Sequence, residues 1–204
     1  MEEELIRKAL STFMENPTPS IARVLAAALR TGRVSYEDVS NLVETGDDTE
    51  EVLFSAYSWR LLLPTRTSKS MAWEDRILAP GPGEAYEMPE VIQHLVKQAL
   101  ETGKWDPGKA VAEVFKDMEE GNWDRVPKLV EMLGRGAMGG RISALKIKEV
   151  CKELGMLEAV DRLIAELKAG GVISPSLGSF PEATQQRGPI YELNPSLFTR
   201  AGTH

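Results

Sequence analysis

Cysteine and histidine are scarce in this 204-residue sequence. The single cysteine, Cys151, excludes an intramolecular disulfide and is typical of a protein from a reducing compartment. One cysteine and two histidines are too few for the common cysteine and histidine zinc sites on one chain. We therefore expect no metal site of this kind.

Long apolar segments are also lacking. No run approaches the roughly 18 apolar residues that a membrane-spanning helix needs. The sequence starts with Met1-Glu2-Glu3-Glu4, which is acidic where a signal peptide would be basic. These features predict a cytoplasmic protein without a membrane partner.

Basic residues are outnumbered, and the formal net charge is −7. Residues 1–124 carry 13 Lys and Arg against 23 Asp and Glu, whereas residues 125–204 carry 11 against 8. Nucleic-acid binding depends on Lys and Arg that neutralise phosphates. Only the C-terminal part therefore has a charge balance that suits DNA.

Helical periodicity runs through most of the chain. Ile21, Val24, Leu25 and Ala28 follow the spacing of an amphipathic helix. Further helices are predicted over residues 2–15, 36–44, 49–61 and 157–169. Four more are predicted from their start signals: one begins at Pro89, one follows the N-cap Asp106 with Pro107, one follows Asp124 as a cap, and one follows Ser143. Short strands are predicted over residues 71–78, 84–88, 172–174 and 190–193, with Gly-, Pro- and Ser-rich loops between the members of each pair.

Two short segments recur in the same order. Gly32-Arg33-Val34-Ser35 corresponds to Gly140-Arg141-Ile142-Ser143, and Tyr86-Glu87-Met88 corresponds to Tyr191-Glu192-Leu193. Both copies place the same elements between the matched ends: a helix, a short β-lead, two helices, a strand, a polar loop and a strand. The match indicates a shared architecture.

This order of elements resembles the winged-helix superfamily, in which a helix-turn-helix is followed by a β-hairpin wing. The resemblance covers residues 20–90 and 124–198, and residues 91–123 form a helical connector. It implies a mostly α fold with small β-hairpins (α+β), divided into residues 1–90, 91–123 and 124–204. Three short amphipathic helices cannot close a core alone, and a hairpin covers their open side.

Nothing in the sequence indicates an active site. Residues 134–139 read Gly-Arg-Gly-Ala-Met-Gly and match the dinucleotide fingerprint G-x-G-x-x-G, but that motif needs a preceding strand, and helical periodicity precedes it here. Cys151 lies on an apolar helix face with no histidine nearby, so a buried thiol is the favoured interpretation. We expect no catalytic residue and no cofactor.

DNA contact is predicted only for basic residues of the C-terminal part. The second helix of a helix-turn-helix enters the major groove, and here it offers Glu158, Asp161 and Glu166 against Arg162 and Lys168. The candidate DNA-contacting residues are Arg141, Lys146, Lys148, Lys152 and Arg187. The alternative is that these side chains form a solvated face.

Trp105 and Trp123 flank the connector beside Gly and Asp residues. Tryptophan is enriched at binding hot spots, so either residue is a candidate to anchor a protein partner. The alternative is that they pack the two units together.

Three functions are consistent with these observations. The favoured one is a non-catalytic tandem winged-helix adaptor that binds proteins through its acidic surface and helical connector. The second is a DNA-binding transcriptional regulator that acts as a dimer, mainly through the C-terminal unit. The third is an enzyme or ligand sensor with a site between the units. The balance of charge favours a protein partner over nucleic acid.

Overall fold

The computed structural model of the chain describes residues 2–15, 17–177 and 188–198. Across these residues the chain is mostly helical, with two three-stranded antiparallel sheets, which confirms the α+β class. The helices are α1 (Glu2–Leu10), α2 (Pro19–Thr31), α3 (Tyr36–Leu42), α4 (Thr49–Ser58), α5 (Glu90–Thr102), α6 (Pro107–Asp117), α7 (Val126–Gly136), α8 (Ala144–Glu153) and α9 (Val160–Ala169). The strands are β1 (Arg33–Ser35), β2 (Leu63–Pro64), β3 (Ala85–Glu87), β4 (Arg141–Ser143), β5 (Ile173–Pro175) and β6 (Ile190–Leu193).

Local sequence signals determine several helix ends. The Thr18 hydroxyl accepts a hydrogen bond from the Ile21 amide at the start of α2, and Gly32 ends this helix in a left-handed conformation. A capping box starts α3. The Ser35 hydroxyl accepts from the Asp38 amide, and the Asp38 carboxylate accepts from the Ser35 amide.

The two halves of the chain repeat one arrangement of elements. The order α2-β1-α3-α4-β2-β3 recurs as α7-β4-α8-α9-β5-β6, and the strands lie side by side as β1-β3-β2 and β4-β6-β5. The segments that match in sequence have the same register, because Val34 pairs with Tyr86 as Ile142 pairs with Tyr191. The internal repeat of the sequence is therefore also a repeat of topology.

The strand predicted over residues 71–78 is wrong. That segment contains a short 3-10 turn at Trp73–Asp75, and Leu63–Pro64 is the strand that pairs with β3. Arg60 has a positive φ of 54°, so the chain reverses directly after α4 and reaches β3 earlier than the sequence pattern indicated.

The predicted cap of α7 is also wrong. Asp124 is not the N-cap residue of α7. The N-cap position belongs to Arg125, whose side chain makes no capping hydrogen bond. The preceding turn is closed instead by backbone hydrogen bonds, from the Trp123 amide to the Glu120 carbonyl and from the Val126 amide to the Asn122 carbonyl. These bonds place the first helical residue independently of a side-chain cap.

Helices α1, α5 and α6 join the two halves into one apolar core. Helix α1 packs against α2 and α5, while α6 packs against α5 and α7. Buried apolar residues from both halves belong to a single continuous cluster. The division of the chain at residues 90 and 123 stays a prediction, since packed surfaces connect the three parts.

The two halves meet at a junction with approximate two-fold character. Gly171, in the turn between α9 and β5, lies against Pro89, which follows β3. In the equivalent turn between α4 and β2, the Arg60 carbonyl accepts a 3.5 Å hydrogen bond from Asn194, which follows β6. Arg60 also forms a largely buried ion pair with Glu192, at 2.8 Å. Each half therefore places its helix-to-strand turn on the end of the other half's sheet.

Candidate functional site

Two of the residues predicted to contact DNA are ion-paired within the protein. The Arg141 guanidinium lies 2.9 Å from Glu74, which belongs to the other half, and the Lys146 ammonium lies 3.0 Å from Glu149 on the same helix. Arg187 lies outside the described residues. Ion pairs of this kind reduce the positive charge that these side chains offer to a phosphate.

Lys148 and Lys152 are exposed and lie one turn apart on α8. Of the candidate DNA-contacting residues that the structure describes, these two lysines are the ones that form no ion pair. A contact of this size is small, because specific protein–DNA complexes typically make several phosphate contacts.

Helix α9 presents no excess of positive charge to solvent, because exposed Asp161 balances exposed Lys168 and Arg162 has an internal partner. Glu158, directly before it, and Asp161 are both exposed. The Arg162 guanidinium donates two hydrogen bonds, of 2.8 and 2.9 Å, to the carboxylate of Glu120 in the turn after α6. The positive charge of Arg162 is therefore largely neutralised by an internal partner.

Glu120 and Glu166 form a buried carboxyl pair beneath Arg162. Burial favours a raised pKa for Glu120, but hydrogen bonds from Arg162 and Asn122 outweigh it and lower the pKa below its ordinary value. Burial and the neighbouring Glu120 raise the pKa of Glu166 from 4.5 to about 7. Glu166 is therefore the member of the pair that takes up a proton first as the pH falls, because two adjacent carboxylates repel each other.

A Glu166→Gln variant is expected to be more stable than the wild type at pH 8, by on the order of 2 kcal/mol. The pKa of Glu166 is raised to about 7, so between pH 4.5 and 7 the folded state binds more protons than the unfolded state. This group's contribution to stability therefore falls as the pH rises through that window. Urea unfolding of both proteins at pH 5 and pH 8 measures the difference, and an equal pH dependence would contradict the assignment.

Exposed acidic residues cluster at the start of helix α4. Asp48 accepts hydrogen bonds from the Glu50 and Glu51 amides, which starts the helix and leaves the side chains of Glu50 and Glu51 in solvent. Among the ion pairs of the described residues, none involves these three carboxylates. The acidic end of α4 is therefore not neutralised within the described part of the chain.

An open groove of about 470 Å³ lies beside this acidic end. Phe54 contributes to its wall and is 64% exposed, which is unusual for a large aromatic side chain. The residues that line the groove are Glu50, Glu51, Phe54, Ser55, Leu78 and Pro80. We call this set the α4 groove.

The prediction of functional residues missed Phe54, although a signal for it exists. The buried residues of α4 are Val52, Leu53 and Ala56, which form its inward stripe. Phe54 is out of phase with that stripe and stands among polar residues. A large apolar side chain on the polar face of an amphipathic helix is a local indication of a binding surface.

The two candidate tryptophans have different environments. Trp105 is only 8% exposed, its indole NH donates a 2.9 Å hydrogen bond to the Ser196 carbonyl, and its ring lies 5.1 Å from that of Phe13. These contacts give Trp105 a packing role between the two halves. Trp123 is 41% exposed, with the Lys116 ammonium 5.8 Å from its ring centre, so it is the tryptophan of the two that is accessible to a partner.

The third hypothesis predicts a ligand site at the junction between the two halves. Several of its described polar groups bond to one another, while the Oε2 atom of Glu192 is buried without a hydrogen-bond partner. Ser174 accepts a hydrogen bond from the Trp73 amide, and Arg60 stacks on Tyr57 while pairing with Glu192. These contacts stabilise the junction.

The motif at residues 134–139 has the reverse order of a dinucleotide site. Helix α7 runs into the motif through Gly136, and strand β4 follows it and pairs antiparallel with β6. The fingerprint needs a strand before the glycines and a helix after them.

Cys151 is buried, as predicted, and burial raises the pKa of its thiol.

In the described parts of the chain, no three or more His, Cys, Asp or Glu side chains are arranged to hold a metal ion. No helix there has both the length and the apolar content to cross a bilayer.

No curated protein matches the sequence. The model of one protein family, which carries no assigned function, matches residues 4–201. Because this match spans almost the whole chain, the protein belongs to that family.

Proposed function

We propose that the protein is a non-catalytic cytoplasmic adaptor, built from two winged-helix units, that binds another protein through the acidic face of α4. In this proposal α2 to β3 form the first unit and α7 to β6 form the second. The order of helices and strands and the antiparallel hairpin in each half support this assignment.

The observation that carries the proposal is the charge of the helices that would read DNA. In each proposed unit the second helix of the helix-turn-helix is α4 or α9. Helix α4 begins with Asp48, Glu50 and Glu51. Helix α9 exposes Asp161 against Lys168, and Arg162 is committed to an internal partner, so α9 offers no net positive charge. Carboxylates that approach phosphates repel them, so these surfaces favour a protein partner.

DNA binding through the C-terminal unit is the second candidate. The exposed pair Lys148 and Lys152 on α8 favours it. In this alternative the contact is to phosphates and carries little sequence information, because α8 is the first helix of the proposed helix-turn-helix.

The adaptor proposal is tested by measuring binding to random duplex DNA over a salt series and by affinity capture from the native host. We expect DNA affinity no better than weak non-specific binding, with little change in a Lys148→Glu, Lys152→Glu double variant. We also expect a captured protein that still binds after nuclease treatment and after reconstitution from purified components.

Two outcomes contradict the adaptor proposal. One is micromolar or tighter DNA affinity that falls steeply with salt and is lost in the double lysine variant. The other is recovery of the chain alone from the host, or capture that nuclease treatment abolishes.

A further inference from the structure

We infer that the α4 groove binds a basic peptide segment of the partner that carries one aromatic or aliphatic anchor residue. This inference rests on the proposed adaptor function and names the partner's chemistry at that site. It follows from the shape, the apolar wall and the charge of the groove.

The apolar wall of the α4 groove provides the anchor site. Phe54 from α4 faces Leu78 and Pro80 from the loop before β3, so two separate elements form the walls. A buried aromatic or aliphatic side chain is the usual centre of a binding hot spot.

The negative charge of the groove favours a positively charged partner. Glu50 and Glu51 belong to its lining, and both are exposed. A smaller adjoining pocket, of about 100 Å³, shares Glu51 and Ser55 with the groove and adds Asp47 and Asp48 to the same side. The acidic surface therefore continues around α4 beyond the groove.

A basic segment satisfies both features at once. Lys and Arg side chains beside the anchor would neutralise Glu50 and Glu51, and their long-range attraction would speed association. An acidic segment, a nucleic acid or an anionic membrane surface would be repelled by the same carboxylates. The formal charge of −7 on the whole chain acts in the same direction.

The inference is tested with peptides selected by phage display on the immobilised full chain, whose affinities are then measured by fluorescence polarisation. We expect the selected peptides to combine several Lys or Arg residues with an aromatic or large aliphatic residue. Phe54→Ser is expected to weaken binding at least tenfold. Glu50→Lys with Glu51→Lys is expected to weaken binding at least tenfold and to reduce its salt dependence.

Met138→Ser is the matched control, because Met138 is 63% exposed but belongs to the C-terminal half. It is expected to leave the peptide affinity unchanged, and circular dichroism verifies that every variant is folded. The inference is overturned if no peptide is selected, if the selected peptides are acidic or neutral, or if Phe54→Ser binds them as well as the wild type. Peptides that bind elsewhere on the chain would overturn the groove as the binding site but would leave protein binding as the function. Tight, salt-sensitive DNA binding would overturn both.

Discussion

A Gly171→Ala variant is expected to lose about 3 kcal/mol of its free energy of unfolding. Gly171 has a φ of 77°, which is unfavourable for alanine, and an added Cβ would lie 2.6 Å from the Cβ and 3.5 Å from the Cα of Pro89. The proline ring and backbone cannot move aside, so the two halves would have to separate locally. Urea unfolding followed by tryptophan fluorescence measures the loss.

Gly155→Ala is the matched control for this prediction. Gly155 also has a left-handed backbone, with a φ of 70°, but no atom lies within 4 Å of an added Cβ. Its expected loss is about 1 kcal/mol, from backbone strain alone. If both variants lose the same free energy, the close approach of Gly171 to Pro89 does not contribute to stability.

Arg162→Ala is expected to destabilise the protein more than Glu120→Ala, although each substitution removes the same ion pair. The Glu120 side chain is fully buried, whereas that of Arg162 is 59% exposed. Removal of the arginine leaves a buried carboxylate without its cation, next to Glu166. Removal of the glutamate leaves an arginine that water can solvate, at an expected cost of about 2 kcal/mol, mainly from lost hydrogen bonds.

The pH dependence and an exposed ion pair provide the checks for this asymmetry. The loss in Arg162→Ala is expected to be smaller at pH 5 than at pH 8, because the pKa of Glu120 rises without Arg162 and the carboxyl group can then take up a proton. Arg135→Ala, which breaks the solvent-exposed pair with Glu131, is expected to leave the urea midpoint unchanged. Equal destabilisation by Arg162→Ala and Glu120→Ala at both pH values would refute the argument.

Most helices, and the cap of α6, were predicted correctly because short-range interactions form them, whereas the predicted cap of α7 was wrong. The Asp106 side chain caps α6 as predicted, by accepting a hydrogen bond from the Lys109 amide three residues later. The strand β2 could not be found in this way. Leu63 and Pro64 continue an apolar run that is consistent with a helix end, and only their pairing with β3 makes them a strand.

The candidate site was predicted less well than the fold. Trp105 and Trp123 have similar neighbours in sequence, yet the first is buried against Phe13 and the second is exposed. Arg141 and Arg162 both read as surface cations, but each pairs with a carboxylate from a distant part of the chain. Exposure and ion pairing depend on which surfaces meet, and a single sequence does not specify this directly.

The α+β class, the helix starts at Ser35 and Asp106, and the repeated order of elements follow from local sequence patterns. Periodicity, caps and glycines act over a few residues, so they can be recognised without a structure. The exposure of the charged side chains and the contact between the halves depend on how the elements pack in three dimensions. The Arg60–Glu192 pair joins residues 132 positions apart, and a contact over that distance forms only when the complete core brings its two partners together.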